Sequence, residues 1–404
     1  MSAVPAIQDL PTLDDRISRH AELLSKQLLA LRERLFPPES RKTLRTFTSG
    51  EAARLIGVSD SYLRQLSSEG LGPAPQTSSS GRRSYTLAQI NELRRHLAAN
   101  KPKEAARYLP HRREGEQMQT IACVNFKGGS GKTTTSLYLA QFLALQGYRV
   151  LALDLDPQAS LTSMFGIQPE FDLGDGDTIY GAIRYVGTQR PLRDITRPTY
   201  FDGVDLVPGN LELMEFEHET PKALAEPRRH PGGLFFKRVA DALAQVEQYY
   251  DVVVVDCPPQ LGYLTLGAVC AATALLVTVH PQMVDIASMS QFLLMAADLL
   301  AVVHKAGGDL SHDFIRYVVT RHEPHDGPQS QIVGLLRSLF GEEVLAASVW
   351  KSTAIADAGL TKQSLYELER GSVGRATFDR AMESLEAVNG EILDLIHKAW
   401  GRAA

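Results

Sequence analysis

Residues 120–135 read Thr120-Ile-Ala-Cys-Val-Asn-Phe-Lys-Gly-Gly-Ser-Gly-Lys-Thr-Thr-Thr135. The apolar run from Ile121 to Val124 suits a buried strand, and a helical pattern runs from Leu137 to Leu145. Glycines fill the space between them. Without Cβ atoms the backbone can turn several N–H groups onto one anion, and the following helix adds the positive end of its dipole. This is a phosphate-binding loop. Gly128, Gly129, Ser130, Gly131 and Thr134 are expected around the phosphates, with Lys132 reaching the outer ones and Thr133 offering its hydroxyl to Mg²⁺. The usual spacing G-x-x-x-x-G-K-[ST] asks for glycine at position 126, where Phe126 stands, and a second lysine, Lys127, opens the loop.

Two further strand ends carry aspartates. Val150-Leu-Ala-Leu-Asp154-Leu-Asp156-Pro-Gln158 is the first, and Val252-Val-Val-Val-Asp256-Cys-Pro258-Pro259 the second. A carboxylate at the end of an all-apolar strand is costly to bury unless a cation meets it. Beside a nucleotide the loop lysine or Mg²⁺ supplies that cation. Asp256 is expected to hold the metal through water and Asp156 to orient the attacking water. Most of the strand candidates at 120–124, 150–154, 204–207, 252–256, 274–279 and 315–320 are near-continuous apolar runs, several with helical patterns between them. The expected fold class is α/β, a doubly wound, mostly parallel sheet with its ligand at the strand carboxyl ends.

The 404 residues are 44% hydrophobic and 22% charged, as in an ordinary globular protein of two or three domains. No apolar run approaches the ~18 residues of a membrane span, and the first residues lack the pattern of a signal peptide, so a cytoplasmic location is expected. Cys123, Cys257 and Cys270 are too scattered for a metal or iron–sulfur site within one chain. Residues 1–118 hold 19 Lys and Arg against 13 Asp and Glu, whereas the remainder holds 23 against 34. The basic part points to nucleic acid.

Within it, Leu13, Ile17, Ala21, Leu24, Leu28, Leu31 and Leu35 form a heptad seam that Pro37-Pro38 ends, over a segment 1–40 expected to be a dimerisation helix. Residues 41–100 read as a winged helix-turn-helix. Thr48 or Ser49 caps one helix, Gly57 turns the chain, and Ser59 caps a second helix from Asp60 to Ser68. Ser59, Ser61, Tyr62 and Arg64 are placed for DNA contact. A polar turn carrying Arg82 and Arg83 forms the wing, and Thr86 caps a third helix. Residues 101–118 are expected to be a linker and 119–404 the nucleotide domain. The amphipathic stretch from Gly390 to Trp400 lacks a basic face, so it is expected to pack on the body rather than on a membrane.

The run K-G-G-x-G-K-[ST]-T, followed by D-x-D-P-Q and then V-V-D-x-P-P, resembles the ParA/MinD group of deviant Walker ATPases over about residues 118–360. The 46–99 segment resembles the MerR-like winged helix. With its N-terminal helix, the whole chain is similar to the large ParA type and to RepA proteins of repABC replicons. The stretches from Arg316 to Gln329 and from Val349 to Gly359 carry that impression. The resemblance implies ATP and Mg²⁺ as cofactors and a homodimer sandwiching two nucleotides, with Lys127 reaching the partner's ATP. It also implies non-specific and operator DNA, a ParB/RepB-like centromere-binding partner that stimulates slow hydrolysis, and a nucleoid-associated location. Adenine and DNA roles carry over to Thr320, Arg321 and Lys351.

Overall fold

The computed structural model describes residues 12–35, 42–79, 81–125, 127–226, 234–372 and 374–402, with backbone alone for 28–35. Contacts divide the chain after Lys42. The first unit contains the helix Leu13–Leu35. Thr12 closes its start, donating from Oγ1 to Asp15 Oδ2 at 2.7 Å and accepting from the Asp15 N–H at 3.4 Å. The seam residues Leu13, Ile17 and Leu24 are 72%, 58% and 63% exposed. The side chains of Leu28, Leu31 and Leu35, together with Pro37, Pro38 and Phe126, lie outside the described residues.

The second unit, from Thr43 on, opens with the winged module. Helices Ser49–Ile56, Asp60–Ser68 and Leu87–Asn100 pack around a small sheet in which Arg83–Tyr85 pairs antiparallel with both Phe47–Thr48 and Gln76–Thr77. The caps follow from side-chain chemistry. Thr48 and Glu51 form a capping box, as do Thr86 and Gln89, and Ser59 accepts from the Tyr62 N–H at 3.2 Å. Gly57 ends the first helix at φ +80°, a left-handed conformation that lets the chain turn sharply into the second.

Seven strands make the main sheet: β1 (Gln119–Val124), β2 (Val150–Asp154), β3 (Arg197–Pro198), β4 (Val204–Val207), β5 (Val252–Asp256), β6 (Ala274–Val279) and β7 (Phe314–Val319). Their order is β7-β6-β1-β5-β2-β4-β3, parallel except for β3. The sequence reading missed β3, a two-residue edge strand containing a proline, which only an edge tolerates. Alternation of side chains splits the core. Along β5, Val252 and Val254 join one cluster, and Val253 and Val255 the other. The first cluster also holds Leu63, Ile90, Leu93 and Leu97, so the winged module shares a core with the sheet.

Arg94 closes that seam. It is 2% exposed, and its Nη2 donates to the Leu55 and Leu145 carbonyls, each at 2.6 Å. Residues 101–118 have the composition of a linker yet are pinned along their length. Tyr108 is buried, Arg107 donates to the Gly57 carbonyl, and Arg112 bonds the Tyr250 and Glu247 carbonyls. The helix Arg375–Ala399 packs on the body as expected, with Ile392 and Ile396 buried and Trp400 Nε1 donating to the Gln117 carbonyl at 2.7 Å. One expectation fails. The helix Met283–Lys305 is long and apolar enough, by length and composition, to cross a membrane. Asp285 and Asp298 interrupt the run and hide it from a simple count. Here Met289, Phe292 and Val303 are buried, Ile286, Leu293 and Leu300 pack against the core, and Leu294 and Val302 face outward.

Candidate functional site

The loop after β1 lies at the carboxyl ends of the central strands and leads into the helix Lys132–Gln146. Gly131 adopts φ +92°, a conformation that favours glycine, and a Cβ there would meet Thr320 at 3.4 Å, about van der Waals contact. Neighbouring loops brace the turn. Asn125 Oδ1 accepts from the Lys127 N–H at 2.9 Å, and Thr278 Oγ1 donates to Ser130 Oγ at 2.9 Å. Thr320 Oγ1 donates to the Ser130 carbonyl at 2.7 Å, and Arg321 Nη1 to the Gly129 carbonyl at 3.2 Å. Ser130 thus spends its side chain and its carbonyl on the fold.

A cavity of 660 Å³ opens over this loop. Gly128, Gly129, Gly131, Lys132, Thr133, Thr134, Asp156 and Thr320 line one side of it. Trp350, Lys351, Ser352, Ile355, Gly359 and Val388 line the other. Lys132 is 6% exposed, and among the described residues its Nζ hydrogen-bonds only the Lys127 carbonyl, at 3.4 Å. Burial lowers its pKa, with Asp256 partly restoring it, so the ammonium gains from any anion placed there. Asp256 is fully buried. Its Oδ1 accepts from Ser136 Oγ at 3.3 Å, while its Oδ2 has no hydrogen-bond partner. Burial, with Asp154 beside it on β2, raises its carboxyl well above the usual range, and Thr133 and Lys132 partly offset this.

These features fit Mg²⁺. An orphaned carboxylate oxygen lies next to the Thr133 hydroxyl. Among the described residues no cluster of three or more His, Cys, Asp or Glu is present to hold a metal unaided. The remaining ligands would come from the phosphates. Asp156 lines the cavity and accepts from the Gln158 N–H at 2.9 Å. Its own N–H donates to Asp154 Oδ1 at 3.1 Å, and Asp154 Oδ2 accepts from the Thr162 N–H and hydroxyl at 2.8 and 2.7 Å. The Asp156 turn ends in Ala159 at φ +53°, strained for a residue with a side chain. Lys127 does not line the cavity; its ammonium is paired with Asp285.

This chain is similar to named relatives over more than half to nearly all of its length. A protein named replication protein A from Sinorhizobium fredii is 52% identical over 389 residues, covering 96% of this chain and 95% of its own. Protein SopA of Escherichia coli K12 is 31% identical over 373 residues, covering 90% and 92%. The chromosome partitioning protein ParA of Myxococcus xanthus is 31% identical over 238 residues, covering 59% and 77%. The chain belongs to the ParA family. Within it, an AAA domain model matches residues 118–304 and a MerR family regulatory protein model residues 48–85. The ParA-type fold extends to a solved partition protein with a TM-score of 0.66 at 19% identity, covering 95% of this chain and 99% of that one. It extends also to a Cyanothece McdA–ATP complex with a TM-score of 0.56 at 18% identity, covering 72% and 99%.

Of the residues the sequence reading expected at DNA, Ser59, Ser61, Tyr62, Arg64, Arg82 and Arg83 lie on the winged module of this ParA-family chain. Ser59 Oγ and Ser61 Oγ lie 3.1 Å apart at the start of the second helix. Arg64 pairs with Asp60, and the Lys101 ammonium sits 4.6 Å over the Tyr62 ring. Arg83 Nη1 donates to the Arg64 carbonyl at 3.3 Å, which ties wing to helix, while Arg82 stays exposed. Lys351 sits apart from these, pairing with Glu323 at 2.8 Å on the cavity rim. Sequence reasoning gave no role to Asp154, Asn125, Thr278 and Asp285, while the cavity's far wall falls largely in the stretch from Val349 to Gly359 singled out above. Only Asp154 carried a signal, its two-residue spacing from Asp156.

Proposed function

We propose that this chain is a plasmid-partitioning ATPase that also represses its own operon. The observation that carries the reading is the gathering of Lys132, Thr133 and Asp156 along one cavity, with the buried Asp256 beside Thr133 and Lys132, on the same unit as a winged helix-turn-helix. Lys132 and the loop N–H groups would bind and orient the triphosphate of ATP. Mg²⁺, held by Thr133 and through water by Asp256, would neutralise charge building on the phosphates. Asp156 would orient the attacking water. Lys127 would reach the nucleotide of a second copy, so that ATP joins two chains and hydrolysis parts them.

Ser59, Ser61, Tyr62, Arg64 and the wing residues Arg82 and Arg83 would meet operator DNA. Lys351 would serve the non-specific DNA contact of the ATP-bound dimer. A ParB/RepB-like centromere-binding protein would raise the hydrolysis rate, and the protein would act in the cytoplasm on the nucleoid.

ATP turnover measured alone, with random DNA and with the partner tests the reading. Stimulation by partner and DNA together is the expected result. Turnover that neither raises, with binding confined to operator DNA, would leave a nucleotide-gated repressor without a segregation role. DNA binding to random sequence should require ATP and weaken steeply with salt.

A further inference from the structure

Lys127 is held within its own subunit at three points. Its N–H donates to Asn125 Oδ1 at 2.9 Å, its carbonyl accepts from Lys132 Nζ at 3.4 Å, and its ammonium pairs with Asp285. Asp285 stands in the first turn of the helix Met283–Lys305, where the helix dipole favours a carboxylate. It is only 8% exposed, and its other oxygen lies 2.9 Å from His280 Nδ1. Burial and the nearby Arg321, Lys127 and Lys351 charges lower the His280 pKa, so a neutral ring donates its Nδ1–H to the carboxylate. A carboxylate this buried needs a cation, and removing the cation leaves it uncompensated. A lysine that is to reach a second copy's nucleotide must first leave Asp285.

We propose that Asp285 is a positioning residue that holds Lys127 on its own subunit, so that breaking this pair limits how readily two copies close over nucleotide. The proposal rests on the reading of Lys127 as the crossing lysine. His280 keeps the carboxylate in place while the lysine is away and so preserves a fixed acceptor for its return. The device makes closure conditional, because the nucleotide phosphates must outcompete a carboxylate already in contact.

Asp285→Asn keeps the size and an oxygen for His280 but removes the charge; Asp285→Ala removes both. The probe is a labelled, non-hydrolysable ATP analogue with Mg²⁺ on the full chain. Analogue enclosed between two subunits exchanges slowly, and analogue on an open subunit exchanges fast. In both variants the protein concentration giving half slow exchange should fall about tenfold, with fast-phase affinity unchanged. Acylation of Lys127 in the nucleotide-free protein, read by mass spectrometry, should be several-fold faster in the variants than in the wild type.

Lys127→Ala should show no slow fraction, and the double variant with Asp285→Asn should match it. Slow exchange unchanged or reduced in both Asp285 variants would overturn the proposal, as would equal acylation rates. A wild-type slow fraction in Lys127→Ala would instead overturn the crossing role of Lys127, a separate result.

Discussion

Asp256 is a buried carboxyl whose pKa is raised by burial and by Asp154, with one oxygen unpartnered. Cation binding favours its ionised form, so Mg²⁺–nucleotide binding should expel a proton and tighten as pH rises through neutrality. Calorimetry in two buffers of different ionisation heat would read that proton, and Asp256→Asn should abolish its release. Asp156 lines the cavity but touches neither Lys132 nor Thr133 by hydrogen bond. Asp156→Ala is therefore expected to retain ATP binding while turnover falls about 10²-fold or more. Retained turnover would remove the water-orienting role.

Among the elements, the helix Leu87–Asn100 joins the two halves of the second unit through side chains. Arg94 on this helix ties the carbonyl end of the first winged-module helix to that of the phosphate-loop helix. Burial draws its pKa down to about 10, still charged at neutral pH. Arg94→Leu would strand the Leu55 and Leu145 carbonyls at ~1–3 kcal/mol each, so a loss of about 2–6 kcal/mol is expected in chemical unfolding. The wing behaves differently. Arg82→Ala with Arg83→Ala should weaken operator binding at least tenfold and leave ATP turnover unchanged, as measured by gel shift and phosphate release. An unchanged operator affinity would remove the wing from the DNA interface. The helix caps at Thr48, Ser59 and Thr86 were legible because each depends on residues within three positions. The Arg94 seam was not, since an arginine in a polar helix pattern reads as solvated until a distant helix end arrives beside it.

For the whole molecule, Asp251 fastens the segment before β1 to the amino ends of the central strands β5 and β2. It accepts from His111 Nδ1 at 2.9 Å, from the Arg112 N–H at 2.9 Å and from Arg149 Nη2 at 2.6 Å. Burial alone would raise its pKa, but the hydrogen bonds from His111 and Arg149 hold it well below the usual carboxylate range. A depressed folded pKa contributes stability above the unfolded value of ~3.9 and loses it as pH falls toward the folded one. Acid unfolding should therefore set in below about pH 4. Asp251→Asn should cost about 3 kcal/mol at pH 7 and flatten that acid limb, both measurable by denaturant titration.

The sequence by itself determined the parallel α/β sheet, the phosphate loop, the two strand-end aspartates and the winged module. Each is written in short-range periodicity or in residue types at fixed spacing. Tertiary structure alone decided where Lys127 points, what Arg94 joins, and that 101–118 is fastened down. Those outcomes depend on which distant carboxylates and carbonyls the packed strands bring within reach, and no local pattern encodes that meeting.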